Sequence, residues 1–194
     1  MRAVPDTLPP ELVVDETFLG VDKSASFAGL FNPLYGADGP AATDKSIFSL
    51  SVTNGSDSGL VDTLSGNKVF LFNDGGVIHG RLGNADGTAN AAGQVEFTIT
   101  VDAKTGVVTL DQAHSLVHPD ATNPDDAIGL SPKAGITLSD TVTDGDGDKA
   151  GAGVGGDHKG SVGGEEVGAG GGGEFQGLEV YVAEFSKGWK SDAV

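Results

Sequence analysis

Cysteine is absent from all 194 residues, which excludes disulfides, thiolate-held zinc and cysteine nucleophiles. Aromatic residues are scarce at 6%, with one Trp and two Tyr. Basic residues are also few: 11 Lys and Arg stand against 28 Asp and Glu, giving a formal net charge of −17. So acidic a surface repels nucleic acid and anionic membranes, and both are excluded as partners. No apolar run approaches the roughly 18 residues of a membrane span. The opening "MRAVPDTLPPELVVDET" has no apolar h-region, so no cleaved secretory signal is expected. What the chain does have is acid and 32 glycines. Strong acidity suits solubility, cation binding or an extracellular setting, and bound metal can supplement a core that no disulfide supports.

Composition changes near Ala150. Residues 1–150 hold 8 Lys/Arg and 21 Asp/Glu, whereas 151–194 hold 3 and 7. From 151 to 173 the chain reads "GAGVGGDHKGSVGGEEVGAGGGG", which has little to bury and is expected to be a flexible linker. The division that follows is an N-terminal extension (1–10), a domain (11–150), the linker (151–173) and a final segment (174–194). In that last segment "EFQGLEVYVAEFSKGW" alternates again, either as a strand that closes the domain or as an unpartnered tail.

Within 11–150 the hydrophobic period is two. "SIFSLSV" sets Phe48, Leu50 and Val52 against Ile47, Ser49 and Ser51. "KVFLFNDGGVIHGRL" reads as two strands around a turn at 73–76. "QVEFTITVDAKTGVVTLDQ" puts Val95, Phe97, Ile99 and Val101 on one face, turns at "DAKTG" and returns through 107–110. Seven or eight short strands with turns about every ten residues predict an all-β antiparallel sandwich. The expected core includes Phe48, Leu50, Phe97, Ile99, Val101 and Val108.

The chemistry-bearing stretch is "DTVTDGDGDKA", residues 140–150. Asp144, Asp146 and Asp148 alternate with glycine, and calcium accepts six to eight oxygen ligands in irregular geometry. The competing reading is a solvated acidic turn, where Asp and Gly both belong for backbone reasons. An EF-hand begun at Asp144 fails, because its sixth and twelfth positions are Lys149 and Gly155. Asp15 and Glu16 in "VVDET" are further candidate ligands, with two exposed acids at a strand edge as the alternative. His114 and His118 are four apart, but Pro119 follows and no third ligand is evident, so a surface loop is preferred to zinc. His79 lies in a strand and His158 in the glycine-rich segment. No nucleophile elbow, phosphate loop or H-E-x-x-H motif occurs, and no enzyme is expected.

Four stretches carry a resemblance: "LVVDETFLGVDKSASFAGLFNPLYGADG", "VTNGSDSGLVDTLSGNKVFLFNDGGVIHGR", "TLDQAHSLVHPDATNPDDAIGLS" and "TLSDTVTDGDGDKA". In this order, over about residues 11–150, the chain resembles the tandem extracellular repeat of giant RTX-type adhesins exported by type I secretion. The resemblance implies an immunoglobulin- or cadherin-like sandwich, secreted or on the bacterial surface, that links neighbouring repeats into a calcium-stiffened fibre. It carries Asp144, Asp146 and Asp148 over as calcium ligands, then Asp140, with Asp15 and Glu16 matching the family's "VDE" segment. In the family an alternating final strand follows "DGDGDKA"; here glycine-rich sequence stands in its place.

The expectation is therefore a calcium-stabilised structural module of an adhesin. The alternative is a ligand-binding module whose end loops recognise a sugar or protein on a cell surface or matrix. With only Trp189, Tyr35 and Tyr181 beside phenylalanine, an aromatic sugar platform is poorly supplied.

Overall fold

The computed structural model describes residues 12–15, 19–31, 33, 39–118, 127–131, 134–155 and 180–183. Among them are twelve strands, one 3-10 turn (Ala28–Leu30) and no α-helix. The fold is all-β. All strand pairs are antiparallel except β1 (Leu12–Asp15) with β12 (Val180–Ala183), which run parallel.

The largest sheet has six strands in the order β2-β8-β7-β6-β5-β4. They are β2 (Lys23–Ser26), β4 (Ser56–Val61), β5 (Lys68–Asp74), β6 (Val77–Leu82), β7 (Val95–Val101) and β8 (Val107–Gln112). Its two middle hairpins follow from local sequence. Between β5 and β6, Gly75 and Gly76 have φ of 62° and 95°, the left-handed pair that a two-residue turn demands. Between β7 and β8, Asp102 Oδ1 accepts the amides of Lys104 and Thr105, and Gly106 closes the turn at φ 65°.

This sheet curls into a half-barrel. Beyond β8 the chain crosses to the far strand of the order, where Leu116 bridges Asp62 at the end of β4. The Val117 amide donates to Val61 O (2.8 Å) and the Thr63 amide to Ser115 O (3.1 Å). We call this junction the seam.

Two three-stranded sheets complete the described fold. One is β11-β10-β3, from β3 (Ser46–Ser51), β10 (Thr137–Thr143) and β11 (Lys149–Gly155). The other is β1-β12-β9, with β9 spanning Ala127–Gly129. The 3-10 turn and β3 meet the turn between β7 and β8: Phe27 N–H donates to Gly106 O and Phe48 N–H to Ala103 O. One apolar cluster joins all three sheets, drawing Leu12 from β1, Phe48 and Leu50 from β3, Leu138 from β10, and Phe97, Ile99, Val108 and Leu110 from the curled sheet. Full burial of such side chains is worth about 1.5–3 kcal/mol each, and no covalent link supplements it. Of the expected core, five residues are buried and Val101 packs half-buried against them.

Two expectations need correction. The boundary at Ala150 falls inside a strand: β11 pairs along its whole length with β10, so residues 151–155 belong to the sheet and not to a linker. Small residues suffice there because the ladder bonds through the main chain. The final strand beside β10 is thus supplied by the start of the glycine-rich stretch itself. The later segment instead enters between β1 and β9, with Leu12 opposite Val180 and Val182 opposite Ile128. Residues 1–10, 156–179 and 184–194 lie outside the described residues, and with them most of the proposed extension and linker.

Two stability outcomes follow. A Cβ added at Gly80 would enter the space of the Phe97 ring, which is buried and cannot swing away. Gly80→Ala is expected to cost about 1–3 kcal/mol in urea unfolding, the usual range for overpacking; an unchanged midpoint would show that the ring adapts. Deleting residues 174–194 removes the strand shared by β1 and β9, and a lowered thermal midpoint is expected. A midpoint equal to that of the full chain would mean that β12 adds nothing to the fold.

Candidate metal centre

The acidic stretch is the turn of the β10–β11 hairpin. Thr143 and Lys149 form the last ladder pair, and 144–148 span the gap. The Asp144 amide donates to Asp148 O (3.0 Å), and the Gly147 amide donates to Asp144 O (3.2 Å). The Asp148 amide donates to Asp144 Oδ1 (2.9 Å). Gly147 has φ 99°, a conformation that strains any residue with a side chain. A second segment holds the turn from outside: Asp144 bridges Pro40, and the Gly145 amide donates to Gly39 O (2.9 Å). Backbone demand accounts for Gly147 and for one oxygen of Asp144.

Carboxylate oxygens of Asp144, Asp146 and Asp148 lie within 4.8 Å of one another, the one such group of His, Asp and Glu among the described residues. Asp144 is half-buried; the other two are exposed. Their proximity shows in their acidity. A hydrogen bond from the Asp146 carboxyl, aided by the amides of the turn, holds Asp144 below the usual carboxylate range. That same bond, with the charges of Asp144 and Asp148, pushes Asp146 above it. The two carboxyls are thus pushed apart in acidity by their closeness. A cation would relieve the same repulsion, and the donors suit a hard ion: all are oxygens, and three carboxylates supply up to six of the six to eight that calcium takes.

Asp140 does not join them. It lies four residues back along β10, about 13 Å at the usual rise per residue, and is only 2% exposed beside Phe48. Its Oδ2 accepts from Ser46 Oγ (3.2 Å), and burial raises its pKa against the pull of that bond and the Ile47 amide. Asp15 ends β1, in a different sheet from β10, and Glu16 lies outside the described residues. His114 is engaged elsewhere, with Nε2 2.8 Å from Gln94 Nε2 and Nδ1 3.2 Å from Val95 O.

A sequence model for a domain of unknown function, DUF5801, matches residues 11–155. The chain belongs to the DUF5801 family. The matched span ends with β11, so the acidic turn and both of its flanking strands lie inside the DUF5801 domain. No curated protein and no solved structure matches the chain. No helix among the described residues is long and apolar enough to cross a membrane.

The DUF5801 domain also holds an acid that alternation hides. Strict period two turns Glu96 away from Phe97, yet both are buried, Glu96 at 0% exposure. The cause is a β-bulge. Gly80 pairs with Phe97 but Arg81 pairs with Val95, which leaves Glu96 as the extra residue of β7. Neither Glu96 carboxylate oxygen has a hydrogen-bond partner; His114 Nδ1 lies 3.7 Å from Oε2. Nothing in "QVEFTITV" announces a bulge.

The opposed shifts can be checked directly. In calcium-free protein, carbon-detected titration should find Asp144 below and Asp146 above the ordinary aspartate value. Coincident titrations would show that the two carboxyls do not interact.

Proposed function

We propose that this DUF5801 domain is a calcium-stabilised structural module of a bacterial surface protein, akin to the repeats of RTX-type adhesins. The observation that carries the reading is the convergence of Asp144, Asp146 and Asp148 at one hairpin turn. An ion bound there offsets the mutual repulsion of three carboxylates. It also stiffens the link between the β10–β11 hairpin and residues 39–41, because Thr143 O accepts the Ala41 amide and the Gly145 amide donates to Gly39 O on either side of Asp144. The gain is mechanical: an end of the domain that would flex becomes fixed. In this reading the sheets form a sandwich of the immunoglobulin or cadherin kind. Its partners are neighbouring repeats, its setting is outside the cell after type I secretion, and it does no catalysis. Support comes from the acidic composition, the all-oxygen donor set and the order of the four quoted stretches.

Calcium should raise the melting temperature in proportion to the logarithm of its concentration above the dissociation constant. That constant is expected on the order of 10⁻⁴ to 10⁻³ M, as in extracellular modules. Magnesium, which demands near-ideal octahedral geometry, should do little. Asp146→Asn with Asp148→Asn should abolish the calcium response while leaving the calcium-free protein folded. Should millimolar calcium move neither the melting curve nor the amides of 144–148, the turn is a solvated one and the reading fails.

A further inference from the structure

We propose that Glu96 is a proton-operated latch on the seam between the end of β4 and the chain after β8: protonated, it lets the seam close; ionised, it loosens it. The bulge in β7 buries this carboxyl completely, beside the main-chain bonds of Val117 and Thr63 that close the curl at that end. Its own backbone is part of the junction, since Glu96 O accepts the amides of Ala113 (2.8 Å) and His114 (3.2 Å) where the chain leaves β8.

The surroundings give an ionised Glu96 no hydrogen bond. His114 Nε2 lies 2.8 Å from Gln94 Nε2, and its Nδ1 faces Val95 O at 3.2 Å and, too far for a hydrogen bond, Glu96 Oε2 at 3.7 Å. From β4 comes Asp62, 4% exposed and negative. Burial would favour its neutral form, but the Ser65 hydroxyl (2.6 Å) and amide (2.7 Å) outweigh that and keep it ionised. On β6, across the bulge, Arg81 directs Nη1 to Gly93 O (3.2 Å), and His79 stands on the other face of the strand from Ile78. On β8, Gln112 is neutral and donates to His114 O (2.9 Å). His118 is the remaining titratable group on the crossing segment, one residue past Val117. Ionising Glu96 in place therefore sets a second negative charge beside Asp62 with no donor at hydrogen-bond distance. Opening the seam hydrates it.

The sign is opposite to that of an ordinary acidic surface. Burial first, then the charge of Asp62, raises the Glu96 pKa, with His114 acting the other way. A raised carboxyl contributes stability that is fully present below the ordinary glutamate value and is lost as pH rises through the folded-state value. The seam is tight in acid and looser above.

Hydrogen exchange of the Thr63 and Val117 amides, corrected for intrinsic rates, tests this from about pH 4 to about pH 8. The full chain carrying Asp146→Asn and Asp148→Asn, in chelator, keeps the acidic turn out of the readout. Protection should fall by up to about tenfold per pH unit above the ordinary glutamate value and level off once Glu96 ionises in the closed seam, and Glu96→Gln should flatten the profile. Parallel profiles with and without Glu96→Gln would overturn the proposal. If Glu96→Gln does not fold, the Glu96 carboxyl carbon in the unsubstituted chain decides: titration above the ordinary glutamate range upholds the latch, and titration at or below it overturns it.

Discussion

The seam between 61–63 and 115–117 is the constraint on which the rest of the molecule depends. Six antiparallel strands in the order β2-β8-β7-β6-β5-β4 would otherwise make an open, twisted sheet with β4 as a bare edge. A few main-chain bonds from the segment after β8 cover the end of that edge and set the curl. Curling gives the sheet an inside. Leu60, Leu71, Ile78, Phe97 and Leu110 fill it, and β3 and β10 bring Phe48, Leu50 and Leu138 against them. With no disulfide in reserve, the stability of the domain is the stability of that enclosure.

The acidic turn depends on the same enclosure at one remove. Asp144, Asp146 and Asp148 converge because β10 and β11 remain in register to Thr143 and Lys149. Register in β10 is set by its other neighbour, β3, through Leu138 opposite Leu50 and Asp140 opposite Phe48. A slip of one residue would turn Leu138 out of the core and displace the turn. The apolar pairing thus positions carboxylates that do not themselves pack. Asp140 shows what the alternative position costs: on the inward face the same residue type becomes a buried acid leaning on Ser46.

Much of this was legible where side chains obey period two. The β7–β8 hairpin could be read because Phe97, Ile99, Val108 and Leu110 are inward and apolar, with an Asp-initiated turn between them. The β5–β6 turn could be read from its paired glycines. Illegible parts share one cause, which is that backbone or polar bonds replace apolar burial. In β4 an inward position is Ser58, fully buried because its hydroxyl donates to Val69 O (2.6 Å) and accepts from the Leu60 amide (3.1 Å). The four polar and small residues of β2 show no alternation, and β11 is mostly glycine and alanine. Glu96 was hidden by a one-residue bulge, which inverts the face of everything before it. Among the candidate ligands, the D-x-D-x-D spacing identified the converging trio. Asp140 was grouped with them on proximity in sequence, which a strand converts into distance.

The two acidic groups differ in what can relieve them. At the hairpin turn the carboxylates are exposed or half-buried and face one another, so either a proton or a hydrated cation can enter, and the two compete. At the seam the carboxylate is sealed, and His, Asp and Glu do not assemble a three-ligand group around it. A proton is the smallest relief and needs no coordination shell. Acidification therefore acts on the two ends of the proposed mechanism in opposite senses. It takes calcium from the turn by protonating its ligands, and it tightens the seam by protonating Glu96. A module built this way exchanges one source of rigidity for another as pH falls, instead of losing both together.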